Sequence, residues 1–383
     1  MDRFYFDHNA TTPVSPEVLE AVSGALAEVY GNASSIHHYG QAAKRKLEQA
    51  RREVAALLNA DPGEIVFVSG GTEADNLAVL GAARAAGKPR KHVVTTAIEH
   101  PAVLNACAQL EREGVEVTYA APDAKGVVGP NGVRRALRPE TVLVSVMHAN
   151  NELGTLQPVA EIARIAREAG VLMHSDGVQA AGRIPVDVRA LGVDLYSISG
   201  HKMYAPKGTG ALYVRKGVGL APLLYGGHHE RDLRAGTENV PGAVALGRAA
   251  AWARENFATG LAALRDRLER GILERVPDTA VNGAGAPRIP NTTNIRFDGI
   301  DGEAMAIALD LRGFAVSGGA ACSSGAAEPS HVLTAIGLTK QQARSSLRFS
   351  LGRQNDESQV DALIEAVAGA AAHLRRLSPA YHA

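Results

Sequence analysis

Between residues 65 and 214, short apolar runs alternate with helix-forming stretches, and no other feature restricts the fold as much. The runs at 65–68, 92–96, 115–119, 142–147, 171–174, 194–198 and 211–214 read as strands. Intervening stretches at 71–85, 101–112, 131–137 and 158–169 carry helical spacing. Strands this uniformly apolar leave no face for water, so they belong in a mostly parallel sheet of about seven strands, covered on both sides by helices. The expected class is α/β.

The flanks read differently. Ser15-Pro16-Glu17 has the form of a helix start, with serine as cap and proline at the first helical position. A long amphipathic helix is expected at 38–58, and 241–275 reads as one continuous helix. Beyond it the pattern turns α+β: a strand at 293–297, a helix at 302–311, a Gly/Ser-rich loop at 317–327, a strand at 346–350 and a last helix at 356–375. The expected division is a large domain over 16–255 and a smaller one from 1–15 plus 256–383. With 40 basic and 40 acidic residues, the formal charge is zero, which gives no electrostatic case for nucleic acid or an anionic membrane. The opening Met1-Asp2-Arg3-Phe4-Tyr5-Phe6-Asp7 has no apolar signal core, and a soluble cytoplasmic protein is expected. Only Cys107 and Cys322 are present, so neither a disulfide framework nor a zinc or other metal site is expected.

Several strand exits carry chemistry. Asp194-Leu195-Tyr196-Ser197-Ile198 runs into Ser199-Gly200-His201-Lys202, and open α/β sheets place ligands at such strand ends. A lysine there can lose its proton and form a Schiff base with a carbonyl. Asp176 ends the preceding strand, with Gln179 close behind. A lysine and a strand-end aspartate together suit pyridoxal phosphate (PLP), one for the aldehyde and the other for the ring nitrogen. Gly70-Gly71-Thr72, between strand and helix, has the form of a phosphate cradle, to which Ser199 and His201 would add donors. His100 and Asn151 leave two further strands. Five exits are thus expected to bring Thr72, His100, Asn151, Asp176 and Lys202 to one rim. Cys322 lies among small residues without apolar periodicity, as suits a reactive thiol, whereas Cys107 sits inside a helix. Arg353 follows a strand and could fork onto a carboxylate.

These segments, with Asp7-His8-Asn9-Ala10-Thr11-Thr12, Gly31-Asn32-Ala33-Ser34-Ser35-Ile36-His37, Glu99-His100-Pro101-Ala102-Val103, Asn150-Asn151-Glu152 and Arg234-Ala235-Gly236-Thr237-Glu238-Asn239, closely resemble the class I (NifS/IscS-type) cysteine desulfurases. These are PLP enzymes of fold type I. The resemblance spans nearly the whole chain. It implies that Lys202 holds PLP and moves the α-proton, and that His100 stacks on the ring and helps that transfer. Asp176 would pair with the ring nitrogen, while Gln179 and Asn151 contact its oxygen side. Gly71, Thr72, Ser199 and His201 would bind the phosphate, with Thr237 reaching it from the partner subunit of a homodimer. Arg353, Asn151 and Asn32 would hold the carboxylate of L-cysteine. Cys322 would take the sulfur as a persulfide, leave alanine, and pass the sulfur to an acceptor such as an iron–sulfur scaffold or the machinery of tRNA thiolation.

Three positions depart from the family pattern. Gly226-Gly227-His228-His229-Glu230-Arg231-Asp232 replaces a glycine- and glutamine-containing loop, and Ala33 and Ala205 replace a usual proline and glycine. None removes a catalytic group. Selenocysteine lyase activity, another PLP lyase or transaminase, and a catalytically silent cluster-assembly scaffold are the rival expectations. Cys322 in its loop favours desulfuration over the other enzymes. Intact Lys202, His100, Asp176 and Cys322 argue against a silent scaffold.

Overall fold

The computed structural model describes residues 3–257, 260–318 and 328–377. The strands in chain order are β1 Phe4–Tyr5, β2 Ile65–Val68, β3 His92–Thr96, β4 Glu116–Ala120, β5 Thr141–Ser145, β6 Leu172–Asp176, β7 Leu195–Ser199, β8 Gly210–Val214, β9 Thr279–Val281, β10 Thr292–Phe297, β11 Phe314–Ala315, β12 Ser317–Gly318 and β13 Ser346–Ser350. Seven of them form one sheet in the order β2-β8-β7-β6-β5-β3-β4. All neighbours are parallel except β8, which runs antiparallel to both β2 and β7. Strand β2 therefore points the same way as β7, and the ends of β2, β3, β5, β6 and β7 share one edge.

Apart from the edge strand β4, where Glu116 and Tyr119 are exposed, both faces of the sheet are sealed, which is why its strands are largely apolar. Val54, Leu58, Met173, Tyr196 and Leu246 pack on one side, and Val66, Leu77, Val93, Leu110 and Leu212 on the other. A third cluster gathers Phe6, Leu268, Ile272, Phe297, Phe349 and Leu363 around the four-stranded sheet β12-β13-β10-β9.

One helix differs from the sequence pattern. The expected helix over 241–275 is two helices, Val240–Glu255 and Leu261–Arg275. Asn256 caps the first, and Gly260 leads into the second with φ of 91°, a left-handed conformation that suits glycine. The apolar spacing continues across the break and hides it. The extended N-terminal arm also has a defined course. It pairs β1 with β11, bridges Asp7 to Ser350 beside β13, and then crosses to the turn after β7, where Thr12 N donates to His201 O at 2.9 Å.

Candidate active site

Lys202 ends the short 3-10 turn Gly200–Lys202 that directly follows β7. The turn is held by Gly200 N donating to Thr209 O at 2.9 Å. The arm supplies the lysine's partners: Nζ donates to Asn9 O and Ala10 O, both at 2.6 Å. Burial, and then the nearby guanidiniums of Arg183 and Arg348, push the Lys202 pKa down to about 7, against the opposite pull of Asp7 and Asp176. An appreciable share of this amine is therefore neutral near pH 7, as a nucleophile toward a carbonyl requires.

Asp176 closes β6 and is 5% exposed. Its Oδ1 accepts from Val178 N at 2.9 Å. Burial raises its pKa, while His100, that backbone hydrogen bond and Lys202 lower it. His100 caps the helix Pro101–Arg112, its Nδ1 accepting from Ala102 N at 3.1 Å. This fixes the neutral tautomer with the proton on Nε2. Its ring stands exposed at the rim. Partial desolvation lowers its pKa, Asp176 raises it, and Lys202 and His331 lower it further. Lys202, Asp176 and His100 thus sense one another directly.

The glycine turn lies alongside. A Cβ on Gly71 would meet Val178 Cγ2 at 2.8 Å and Ser199 Cβ at 3.4 Å, so only glycine fits there without displacement. Gly71 opens a helix of 15 residues, Gly71–Ala85, whose first backbone N–H groups are unpaired by the helix itself. Ser199 Oγ is buried and has no hydrogen-bond partner. Thr72 is exposed beside it. A bare cradle of N–H groups with an orphaned hydroxyl fits a phosphate, and the neighbouring lysine and aspartate fit the aldehyde and ring nitrogen of PLP. His201 is neutral, its pKa lowered to about 4 by burial and by Lys202, and its Nδ1 lies 3.1 Å from Thr11 Oγ1.

Asn151 belongs to the same edge. Its carbonyl accepts from Asn9 Nδ2 at 3.1 Å and Arg348 Nη1 at 2.9 Å, while its side-chain Oδ1 is buried and unpartnered. Gln179 is engaged elsewhere: Nε2 donates to Asn9 O at 3.0 Å, and Oε1 accepts from Arg183. Its side chain fastens the arm. Arg353 shares with Lys202, His8 and Trp252 a cavity of about 640 Å³. Its guanidinium stacks 4.4 Å from the Trp252 ring and donates to Glu17 Oε2 at 3.3 Å, leaving Nη1 without a partner.

Two expected site residues stand apart. Asn32 is exposed, and its Oδ1 accepts from Ser34 N at 2.8 Å within its own loop. Thr237 is exposed on the segment that Arg234 ties to Glu73 at 3.0 Å. Cys322 lies outside the described residues. Among those residues, no group of three or more His, Cys, Asp or Glu could hold a metal ion, and no helix is long and apolar enough to cross a membrane.

Sequence reasoning missed Asn9, Arg183 and Arg348. The last left a trace: Ser346–Ser350 is an arginine-bearing run whose other residues suit a buried strand. Arg348 is 5% exposed and spends its charge on Asp7 Oδ1 at 2.7 Å. The departing loop forms a short turn in which Glu230, Arg231 and Asp232 all take positive φ. It is held by a buried fork from Arg51 to Glu230 at 2.8 and 2.7 Å. His228 there faces Asp232 at the surface.

Comparison with known proteins agrees with this architecture. The family model for aminotransferase class-V matches residues 4–363. A cysteine desulfurase of Trichormus azollae is 48% identical over 382 residues, covering 99% of this chain and 95% of that protein. A solved NifS-like protein superposes with a TM-score of 0.91 at 37% identity, covering 97% of this chain and all of the other. The structure of SspA in complex with cysteine gives a TM-score of 0.81 at 37% identity over 91% of this chain and 98% of that one. Over nearly its whole length, the chain belongs to the aminotransferase class-V family.

Proposed function

We propose that this protein is a PLP-dependent L-cysteine desulfurase that releases alanine and hands the sulfur to an acceptor. The observation that carries the reading is Lys202: a desolvated amine at a strand end, with a buried aspartate and a neutral histidine around it and an anion cradle alongside. Relatives named cysteine desulfurase, and a neighbour solved with cysteine, supply the substrate.

In this reading Lys202 takes the aldehyde and Asp176 the ring nitrogen. Gly71, Thr72, Ser199 and His201 hold the phosphate, with Thr237 added by the partner in a homodimer. When bound, PLP supplies an electron sink that makes cleavage of the carbon–sulfur bond accessible. The chain's own groups do the rest. Lys202 Nζ accepts and returns the proton at the substrate Cα, a task for which an amine near its pKa is suited. His100 covers the ring, and its Nε2–H is placed to donate. Arg353 turns from Glu17 to fork onto the substrate carboxylate, with Asn151 and Asn32 assisting. The Cys322 thiolate attacks the substrate sulfur, so that an S–S bond forms as the C–S bond breaks. An iron–sulfur scaffold or a tRNA-thiolating protein is the acceptor class, and the cytoplasm is the compartment.

Sulfide release from L-cysteine under reductant, recorded with the visible spectrum for wild type and Cys322→Ser, tests the reading. The expected result is a yellow protein in both cases, with sulfide lost in the variant. A colourless wild type overturns the cofactor assignment. A yellow protein that consumes cysteine equally well without Cys322 overturns the sulfur-transfer step.

A further inference from the structure

Three carboxyl side chains lie buried together beneath the Lys202 rim, and the proposed reaction uses only one. Asp75 is 1% exposed, Glu99 0% and Asp176 5%. They arrive from three elements: the helix Gly71–Ala85, the turn after β3, and the end of β6. They are near enough for Asp176 and Glu99 to raise the pKa of Asp75, and for Asp176 to raise that of Glu99, on top of the larger effect of burial.

Neither extra carboxyl has a cation to offset a charge. Glu99 accepts on Oε1 alone, from Thr96 Oγ1 at 2.6 Å and Met147 N at 2.9 Å. Its Oε2 is buried with no partner, an unfavourable place for charge and the natural place for a proton. Asp75 Oδ1 also lacks a hydrogen bond and faces His174 Nε2 at 3.6 Å. That imidazole is 0% exposed and held at both nitrogens, by Ser145 Oγ at 2.8 Å and Ser197 Oγ at 3.0 Å. Burial drives its pKa down to about 3, so it is a neutral ring. The other titratable groups around the cluster are His100, Lys202 and Tyr196 near Asp176, His331 on the Glu99 carbonyl at 2.9 Å, and Cys107 near Glu99. Among the described residues, no lysine or arginine forms an ion pair with Asp75 or Glu99.

We propose that Asp75 and Glu99 are held as neutral carboxylic acids, so that Asp176 carries the only negative charge on the floor of the site. The inference rests on the reading in which Asp176 faces the ring nitrogen. Like charges in one dry cavity cannot all ionise, and the one that meets a cation keeps its charge. Strand register sets the neutral surroundings of Asp75. His174 and Asp176 project from the same face of β6, Ser197 pairs with Asp176, and Ser145 pairs with His174. Ser197 Oγ therefore lies between Asp75 and His174 Nε2, and Ser145 Oγ holds the other ring nitrogen, so the nearest base-forming neighbour of Asp75 is a neutral imidazole and not a cation. Asp75 and Glu99 are positioning residues that act through Asp176.

The test uses the holoenzyme and three variants: Asp75→Asn, Glu99→Gln and Asp176→Asn. Infrared spectra at neutral pH should contain carboxylic-acid C=O stretches of which Asp75→Asn removes one, Glu99→Gln removes another, and Asp176→Asn removes none. PLP itself is the binding probe. Its dissociation constant should change less than about threefold in the first two variants and rise about tenfold or more in Asp176→Asn. Stability gives an independent readout. The Glu99 pKa stands at about 8 in the fold against a usual carboxyl value of 4.5, so the folded state keeps a proton that the unfolded chain has released. Wild type therefore loses stability relative to Glu99→Gln as pH rises from about 4.5 to about 8, and the gap stays constant above that. Denaturation midpoints measured across this window should show the variant gaining with pH. Missing bands, a gap that is flat or reversed, or loss of PLP affinity in Asp75→Asn or Glu99→Gln would overturn the proposal. Should a variant fail to fold, fading of one wild-type band through pH about 8 still decides for Glu99. A colourless wild type sinks the cofactor reading alone, because the infrared bands and the stability gap need no cofactor.

Discussion

The floor of the site and its rim are built on opposite terms. On the floor, Asp75, Glu99, Asp176 and His174 are sealed from water, and every neighbour is fixed by strand register or a packed helix. On the rim, Thr72 and His100 are exposed. A group on the floor acts through where its charge sits, in a medium where charge is costly. A group on the rim contributes one hydrogen bond in competition with water. Equal-looking substitutions should therefore have unequal effects.

Lys202→Ala stands at the boundary and should have the largest effect, at least about a thousandfold in turnover with loss of the yellow colour, because both nucleophile and base disappear. Asp176→Asn should come next, weakening cofactor retention and cutting turnover about a hundredfold while secondary structure is unchanged by circular dichroism. Gly177→Ala probes the floor by shape alone. An added Cβ would lie 2.0 Å from the Tyr196 ring, which is 0% exposed and bonded to His148 Nδ1 at 2.7 Å. Overpacking at a site this rigid should cost about 1–3 kcal/mol in urea unfolding, with cofactor binding falling in step. Thr72→Ala on the rim should be mildest, about 0.5–1.5 kcal/mol of cofactor affinity by equilibrium dialysis. If Thr72→Ala matched Asp176→Asn, the division between floor and rim would fail.

The sequence revealed the floor and rim to different depths. Strand exits were legible because buried parallel strands are apolar runs with sharp ends, so Asp176, His100 and Lys202 could be placed on one edge before any coordinates. Asp75 was not legible as a floor residue. It sits inside a helix, and only packing of that helix against β6 and β7 turns it toward Asp176. Gln179 was legible as a neighbour of Asp176, but its partner was not, because Asn9 comes from 170 residues away. The break between Val240–Glu255 and Leu261–Arg275 was lost for a related reason, since apolar spacing records which residues face a core and not which core they face.

The crossing of the N-terminal arm also sets a clock for folding. His8 N donates to Ser350 O at 3.1 Å, Asn9 N to Ser350 Oγ at 2.9 Å, and Ser350 N to Phe6 O at 2.8 Å. The carbonyls that receive Lys202 are thus anchored on a strand made long after the seven-stranded sheet. At roughly 5–20 residues per second, the ribosome finishes the seven-stranded sheet well before that strand emerges. Until then the arm across the lysine is held at the turn through Thr12 and lacks its second anchor on Ser350. Arg348, one of the guanidiniums that depress the lysine's basicity, arrives with the same late strand.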